Sequence, residues 1–196
     1  GLSVAPDMIL VKNRDQADSW AVYHSGMGNA AHLILDTTAA YTTSSAYWGS
    51  TDPTSTVWTT GNDGKLNSNT EKYVAYCIAN CEGYIKAGTY IGNGDDDGSF
   101  VYTGFRPAMM ILREYSAVDN WLIYDNKRVG YNLDSAGNAV LYPDTTSAEE
   151  NQASRAIDIL SNGFKLRTSN TTGNASSGNY LYLAIAKNPF QYATTR

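Results

Sequence analysis

The sequence predicts an all-β protein, because it combines short apolar runs, polar turns between them and an internal repeat. Apolar runs of four to eight residues, rich in Val, Ile, Tyr and Trp, recur along the 196 residues and are bounded by Gly, Asn, Asp and Ser. Runs of this length and composition are typical of strands. Many evenly spaced strands favour a sandwich or barrel. We expect a concanavalin-like or jelly-roll-like antiparallel β-sandwich with at most one short helix.

The predicted strands follow one another closely along the chain. In order they are MILVK, WAVYH, HLILD, STVWTT, KYVAYCIA, SFVYTGF, AMMILRE, NWLIYD, AVLY, AIDIL, GFKLRT and NYLYLAIA. The segments GNDGKLN from Gly61, SAGNA from Ser135 and NASSGN before Tyr180 supply turn residues that tolerate positive φ. The helix candidate is TTSAEENQASRA, where Ser147 and Glu150 have capping-box spacing and predict one or two turns.

An internal repeat organises these strands. PDMILVKNRDQADSWAVYHS from Pro6 corresponds to PAMMILREYSAVDNWLIYDN from Pro107, at an offset of 107 − 6 = 101 residues. EKYVAYCIAN from Glu71 corresponds to GNYLYLAIAK from Gly178, at an offset of 178 − 71 = 107 residues. Loops vary most, so the difference indicates an insertion between the two matching blocks.

The repeat defines two copies, at about residues 6–80 and 105–190, joined by residues 81–104. The joining segment contains strand-like pieces and no linker rich in Pro and Ser. We therefore expect one sandwich domain over residues 1–196, with two side-by-side lobes as the alternative.

Charge excludes several classes of partner. The net charge is −5 and the pI is near 4.9, and no cluster of Lys and Arg is present to neutralise phosphates. We therefore expect neither nucleic acid nor an anionic membrane surface as the partner. The sequence contains no run of about 18 apolar residues, so we expect no membrane insertion. A neutral or mixed-charge partner such as a glycan fits the composition.

Aromatic residues among Ser and Thr are the main candidate for a binding site. The segment AAYTTSSAYWGSTDPTSTVWTT contains Tyr41, Tyr47, Trp48 and Trp58. Exposed rings can stack on sugar faces while neighbouring hydroxyls and amides bind the sugar edges. Trp48 beside a glycine is the first candidate for a ligand contact, and a core position is the alternative for Trp58. Trp20 and Trp121, duplicated with the repeat, are predicted to be core residues.

Metal, redox and catalytic signals are weak. Asp95, Asp96 and Asp97 offer oxygen ligands for Ca²⁺, but a solvated turn is the favoured explanation because Asp and Gly are common in turns, and we expect no cofactor. Cys77 and Cys81 would lie about 13 Å apart on one strand, so two buried free thiols are expected unless a turn at Asn80 joins them. Neither histidine belongs to a catalytic motif, and we expect no enzyme.

Carboxylates leave one enzymatic alternative open. A glycosidase needs only two suitably spaced acidic side chains, and the chain has 19 Asp and Glu residues. The candidates are Glu82, Glu114 and Glu149. None of the three has a supporting local motif.

The second copy contains a series of distinctive features, which are Gly104 to Pro107, Arg113, Trp121, Asp125 with Arg128, Asn162 to Leu166, and Tyr180 to Ala186. In these features it resembles a repeated domain of tail-fibre and other virion proteins of tailed bacteriophages. The first copy is similar through PDMILVKNRD, SWAVYH and KYVAYCIA, but it has HSGM where the second copy has the Asp125 and Arg128 element.

The resemblance implies a lectin-like sandwich used for adsorption or particle structure. We therefore expect an extracellular, noncatalytic receptor-binding domain of a phage tail fibre, homotrimeric in the fibre, that recognises a host-surface glycan. A structural virion module without a host ligand is the first alternative, and a polysaccharide depolymerase is the second. Asp125 and Arg128 are expected to form a local charge pair that shapes their loop.

Overall fold

Strands dominate the part of the chain that the structure describes. The computed structural model describes residues 2–128, 132 and 138–189, and the all-β prediction is confirmed there. The strands are β1 Met8–Asn13, β2 Ala21–His24, β3 Ala31–Ile34, β4 Thr42–Thr43, β5 Tyr73–Ile78, β6 Ile85–Ile91, β7 Phe100–Tyr102, β8 Pro107–Glu114, β9 Trp121–Asp125, β10 Asn138–Val140, β11 Glu150–Gln152, β12 Ile157–Leu160, β13 Gly163–Leu166 and β14 Asn179–Ala186.

Helical turns are more numerous than the sequence predicts. The described residues include three four-residue α-helices, α1 Ser45–Trp48, α2 Gly64–Asn67 and α3 Thr171–Asn174, and 3-10 turns at Ser25–Met27 and Ala153–Arg155. The side chains of Ser44, Asp63 and Asn170 cap the three α-helices by accepting backbone N–H groups. A single turn is too short to show helical periodicity in the sequence.

The helix predicted around Ser147 and Glu150 is wrong. Glu150–Gln152 is strand β11, which pairs with β10 in a two-stranded hairpin, and a single 3-10 turn follows. The N–H of Ser147 donates to the hydroxyl of Thr145 instead. Ladder hydrogen bonds to β10 outweigh the local capping preference. In the predicted SAGNA turn, residues 135–137 lie outside the described residues, and the rest belongs to β10.

The two copies form sheets with the same strand order. The first sheet runs β4-β3-β2-β1-β5, and the second runs β6-β14-β8-β9. In each, the opening strand of the copy, β1 or β8, lies between its hairpin partner, β2 or β9, and the closing strand, β5 or β14. All of these pairings are antiparallel. The joining segment belongs to the fold, because its strand β6 extends the second sheet beyond β14.

The two sheets pack face to face over one shared core. Met8, Val22 and Leu33 of the first sheet contact Trp121 and Leu181 of the second sheet. Strand side chains alternate between faces, so the neighbours of these residues along each strand point outward. The first and second copies thus contribute to one hydrophobic cluster.

Each outer face has a different cover. Met110 and Leu112 of the second sheet pack against Phe164 of a third sheet, which runs β12-β13-β7. Ile9 and Val11 of the first sheet pack instead against the loop that carries α1 and α2. Duplication therefore preserved the central sheets, while the surrounding segments diverged.

His24 in the first copy and Asp125 in the second copy have the same role, because each accepts a backbone N–H just after the end of its strand. His24 ends β2, and its Nδ1 accepts the N–H of Gly26 at 3.0 Å. Asp125 ends β9, and its Oδ1 accepts the N–H of Lys127 at 2.8 Å. His24 is buried between the sheets, and this burial lowers its pKa from 6.5 to about 4. The neutral imidazole is therefore the form that the fold requires.

Acid is expected to destabilise the fold through His24. Between pH 6.5 and about 4 the unfolded chain binds the His24 proton and the folded chain does not, so the free energy of unfolding falls as pH falls. The loss reaches about 3 kcal/mol at the lower end of this window. Urea unfolding at pH 7 and pH 4.5 measures it.

The matched variant is His24→Asn, whose side-chain oxygen can still accept the N–H of Gly26. This variant should be less stable than the wild type at both pH values. Its free energy of unfolding should also change much less between pH 7 and pH 4.5 than that of the wild type does. Burial also lowers the pKa of His32, so a smaller dependence of the same sign remains. An unchanged pH dependence in His24→Asn would contradict the assignment.

Candidate functional site

Two of the four aromatic residues predicted to contact a ligand lie in the core. Trp48 is 2% exposed and Tyr47 is also buried, so the expectation of an exposed Trp48 is wrong. Helix α1 turns both rings onto the outer face of the first sheet, where Trp48 meets Tyr23 edge-on at 5.7 Å between ring centroids. Burial of large rings outweighed the polar sequence around them.

The other two aromatic residues do not form a common surface. Trp58 is half-buried and packs edge-on against Trp48 at 5.9 Å, which agrees with the core alternative. Tyr41 is exposed and lies against Tyr115 instead. The segment predicted to hold a sugar therefore mostly covers the first sheet.

The duplicated tryptophans have different environments. Trp121 is buried in the core between the sheets, as predicted. Trp20 is only partly buried and stacks on Tyr76 at 6.2 Å between ring centroids, so the predicted core position does not hold for it. Tyr76 on β5 is itself 52% exposed. Equivalent positions in a repeat therefore do not ensure equivalent burial.

The acidic loop ties two segments together. Asp96 accepts the N–H of Ser169 at 2.7 Å, and Asp95 accepts the N–H of Asp97 at 2.8 Å. Asp97 pairs with Lys165 at 2.6 Å, and this hydrogen bond and the positive charge lower the pKa of Asp97. Within the described ranges, no group of three or more His, Cys, Asp or Glu side chains is arranged to hold a metal ion.

The three candidate catalytic carboxylates occupy three different settings. Glu114 is buried and accepts the hydroxyl of Ser116. Glu149 pairs with Arg128 at 2.9 Å. Glu82 lines a surface depression. Arg128 also pairs with Asp125 at 2.5 Å, so the predicted local charge pair is confirmed.

Both cysteines are free thiols, as expected, but they are not both buried. Cys77 is half-buried on β5, and burial raises the pKa of its thiol. Cys81 is exposed, so its predicted burial is wrong. It lies past the end of β5 and forms an isolated bridge with Ile85. The turn after β5 therefore carries Cys81 out of the core.

A groove at the segment joining the two copies is the best candidate for a ligand site. It consists of two adjoining depressions of about 350 and 330 Å³ that share Gly104. The first is lined by Gly83, Gly104, Phe105, Arg106, Ser161, Lys187 and Asn188. The second is lined by Asn80, Cys81, Glu82, Ile85, Lys86, Tyr102, Thr103 and Gly104. The groove thus brings together parts of the chain that are far apart in sequence.

A tight connection between β7 and β8 shapes this groove. Thr103 and Gly104 both donate their N–H groups to the carbonyl of Asn162, at 3.0 and 3.1 Å. Gly104 has a φ of 87°, which a residue with a Cβ rarely adopts. The hydroxyl of Thr103 donates to the carbonyl of Phe105 at 2.6 Å. These bonds fix the connection against the turn between β12 and β13.

The groove combines an exposed ring with positive charge. Tyr102 is 58% exposed, and the ammonium of Lys86 lies 5.3 Å from its ring centroid. Lys86 also donates to the carbonyl of Tyr102 at 3.2 Å. Arg106 and Lys187 add two further basic side chains, and among the described lining residues the one carboxylate is that of Glu82. This balance is opposite in sign to the net charge of −5 of the whole chain.

Such a groove can bind a polar ligand with a flat apolar face. The Tyr102 ring offers a stacking surface, and the hydroxyl of Ser161 and the amides of Asn80 and Asn188 offer hydrogen bonds. The sequence analysis missed this site. The available signal was the alternation in β7, where exposed Phe100 and Tyr102 flank buried Val101.

Comparisons with known proteins identify a family. The family described as a domain of unknown function (DUF7483) matches residues 1–189 of the chain. Comparison with curated proteins found no match, and comparison with solved structures found none either. Among the described residues, none of the helices is long and apolar enough to span a membrane.

Proposed function

The chain belongs to the DUF7483 family, and we propose that it is a noncatalytic carbohydrate-binding module that recognises an acidic host-surface glycan. One observation supports this proposal above the others. The groove at the joining segment combines the exposed ring of Tyr102 with three basic side chains and several neutral polar groups. Sugar recognition requires this combination of a stacking ring and edge hydrogen bonds.

The charge of the groove favours an acidic glycan over a neutral one. Lys86, Arg106 and Lys187 line the two depressions, and basic side chains bind carboxylate, sulfate or phosphate substituents of sugars. The rest of the protein is acidic and repels such a polymer. Binding should therefore be confined to the groove and should weaken with added salt.

The resemblance to phage virion domains suggests where the module works. We propose that it belongs to an extracellular tail fibre, where several copies would present several weak sites to one cell surface. Several weak sites on one particle gain affinity through multivalency. Whole-cell binding by an assembled fibre tests this placement. A fibre that binds neither host cells nor a broad glycan array would contradict it.

Tyr102→Ala is expected to weaken glycan binding about tenfold, which corresponds to about 1.4 kcal/mol. The loss would come from the missing stacking surface, since the Tyr102 side chain is mostly exposed and contributes little to the core. Isothermal titration of the purified chain with an acidic bacterial polysaccharide measures the effect.

Tyr41→Ala is the matched control, because Tyr41 is also exposed but does not line the groove. It should bind as the wild type does. If Tyr102→Ala binds the polysaccharide as tightly as the wild type does, the groove is not the binding site. Release of reducing ends from the polysaccharide would contradict the proposal that the module is noncatalytic. In that case, loss of the release in Glu82→Gln would show that the carboxylate in the groove takes part in the hydrolysis.

A structural virion module is the second candidate function. Ile91 and Phe100 are large apolar side chains that are 65% and 48% exposed, near the edges of the second and third sheets. Exposed apolar surface is typical of a module that packs against neighbouring subunits. If no polysaccharide binds and Ile91→Ser prevents incorporation into particles, this function replaces the first.

A further inference from the structure

We propose that the outer edge of strand β5 pairs antiparallel with β5 of a second copy of this chain, which gives a two-fold dimer with a continuous sheet. β5 is the last strand of the first sheet, and the described residues place no strand beyond it. Ala75 and Tyr76 in its middle are exposed. This surface is separate from the groove, and the inference does not depend on glycan binding.

Hydrogen bonds to β1 show which backbone groups of β5 face outward. The carbonyls of Lys72 and Ile78 accept N–H groups of the chain at either end of β1, both at 2.8 Å. Backbone groups alternate in direction along a strand, so the even-numbered residues of β5 face β1. The N–H and C=O groups of Tyr73, Ala75 and Cys77 therefore point away from the sheet. No strand among the described residues pairs with these groups.

The second copy shows what covers such an edge. Its closing strand β14 corresponds to β5, and it pairs on one side with β8 as β5 pairs with β1. On the other side β14 pairs antiparallel with β6, from Asn179 opposite Ile91 to Ile185 opposite Ile85. The corresponding edge of the first copy lacks this strand. The fold thus already uses an antiparallel strand at this position.

The chain protects its β6 edge but not its β5 edge. The outward N–H of Ile85 donates to the carbonyl of Cys81 at 3.0 Å, and that of Ala87 donates to the side-chain oxygen of Asn80 at 2.6 Å. Natural edge strands are otherwise protected by charges, prolines or bulges. The β5 sequence YVAYCI contains no charge and no proline, and its pairing with β1 has no register shift.

A second copy is the occupant that this edge fits best. With a two-fold axis at Ala75, Ala75 lies opposite Ala75 of the second copy, and Tyr73 lies opposite Cys77. These are the outward-facing residues, so each opposed pair can exchange two hydrogen bonds. The exposed side chain of Tyr76 then packs beside Val74 of the second copy. An isologous edge of this kind closes after two chains.

The oligomeric state of the purified chain tests the pairing. We expect a dimer by sedimentation equilibrium, and we expect Ala75→Pro to raise its dissociation constant by about 100-fold or more, because proline removes an outward N–H and leaves the β1 ladder intact. Thr89→Pro is the matched control, since Thr89 lies on the other edge strand and its backbone also faces outward. It should remain dimeric.

A disulfide test fixes the register. In a background with Cys77→Ser and Cys81→Ser, the pair Val74→Cys and Tyr76→Cys should form a covalent dimer under oxidation. Opposed residues that are not hydrogen-bonded lie about 4.5 Å apart between Cα atoms, which suits a disulfide. The single variant Val74→Cys should not crosslink, because its partner position lacks a cysteine.

Three outcomes would overturn the inference. A chain that stays monomeric up to about 1 mM shows that the edge does not self-associate. A dimer or trimer that Ala75→Pro leaves unchanged shows that another surface holds the assembly. Equal crosslinking by the single and double cysteine variants shows that the proposed register is wrong. Thermal unfolding of each variant checks that a lost dimer is not a lost fold.

Discussion

Trp121→Ala is expected to lower the free energy of unfolding by about 3–5 kcal/mol. Trp121 on β9 is 0% exposed and lies in the core between the two central sheets. Its indole N–H donates to the carbonyl of Ile34 on β3 at 3.0 Å, so one side chain joins the second sheet to the first. The substitution removes the buried ring, leaves a cavity and deprives the Ile34 carbonyl of its donor.

The repeat supplies the control for this experiment. Trp20 is the same residue at the corresponding position of the first copy, but it is only partly buried. Trp20→Ala should lower the free energy of unfolding by less than Trp121→Ala does, because a partly exposed ring leaves no enclosed cavity when it is removed. Denaturant unfolding of both variants gives the comparison. Similar losses in the two variants would show that Trp121 does not have the special role that its burial implies.

Arg113→Ala is expected to destabilise the fold by a similar amount, about 3–5 kcal/mol, because it removes several hydrogen bonds from one charged donor. The side chain of Arg113 on β8 is 0% exposed. Its guanidinium donates to the carbonyls of Thr38 at 2.8 Å, Ala39 at 2.6 Å and Asp119. Without it, the carbonyls of Ala39 and Asp119 lose this donor, while the carbonyl of Thr38 keeps the N–H of Asp119 at 3.0 Å. A hydrogen bond from a charged donor contributes about 1.5–3 kcal/mol, so the loss of several accounts for the expected effect.

Arg113→Lys should recover only part of this loss, because one ammonium cannot reproduce a planar fork that reaches several carbonyls. Lys12 occupies the corresponding position in the first copy and donates to the carbonyls of Asn13 and Gln16 within its own hairpin. Lys12→Ala should therefore change the free energy of unfolding by less than about 1 kcal/mol. Full recovery of stability by Arg113→Lys would contradict this account.

Strand positions were predictable because their signal is local. The run MILVK becomes β1, and alternate side chains point to opposite faces, with Met8 in the core between the sheets and Ile9 beneath α1. A period of two and a preference for β-branched residues are written into a few consecutive positions. The correspondence of β1 with β8 was equally visible as a repeat at a fixed offset.

The candidate site was not predictable in the same way. Arg106, Ser161 and Lys187 come from three separate segments and meet only because β8, the β12–β13 turn and the end of β14 share one end of the sandwich. The sequence signal for a site was a set of aromatic residues close together in the chain. That signal includes Tyr47 and Trp48, which are neighbours in sequence and lie in the core.

The sequence by itself determined the all-β class, most of the strands, the two copies and the opposite faces along each strand, because all of these depend on nearest neighbours or on a fixed offset. Only the tertiary structure decided which of two equivalent residues is buried. Trp20 and Trp121 have the same local sequence pattern, but only Trp121 meets a carbonyl on the opposing sheet. Contacts between segments that are far apart in the chain decide which side chains are buried. The same contacts form the groove and leave the edge of β5 open.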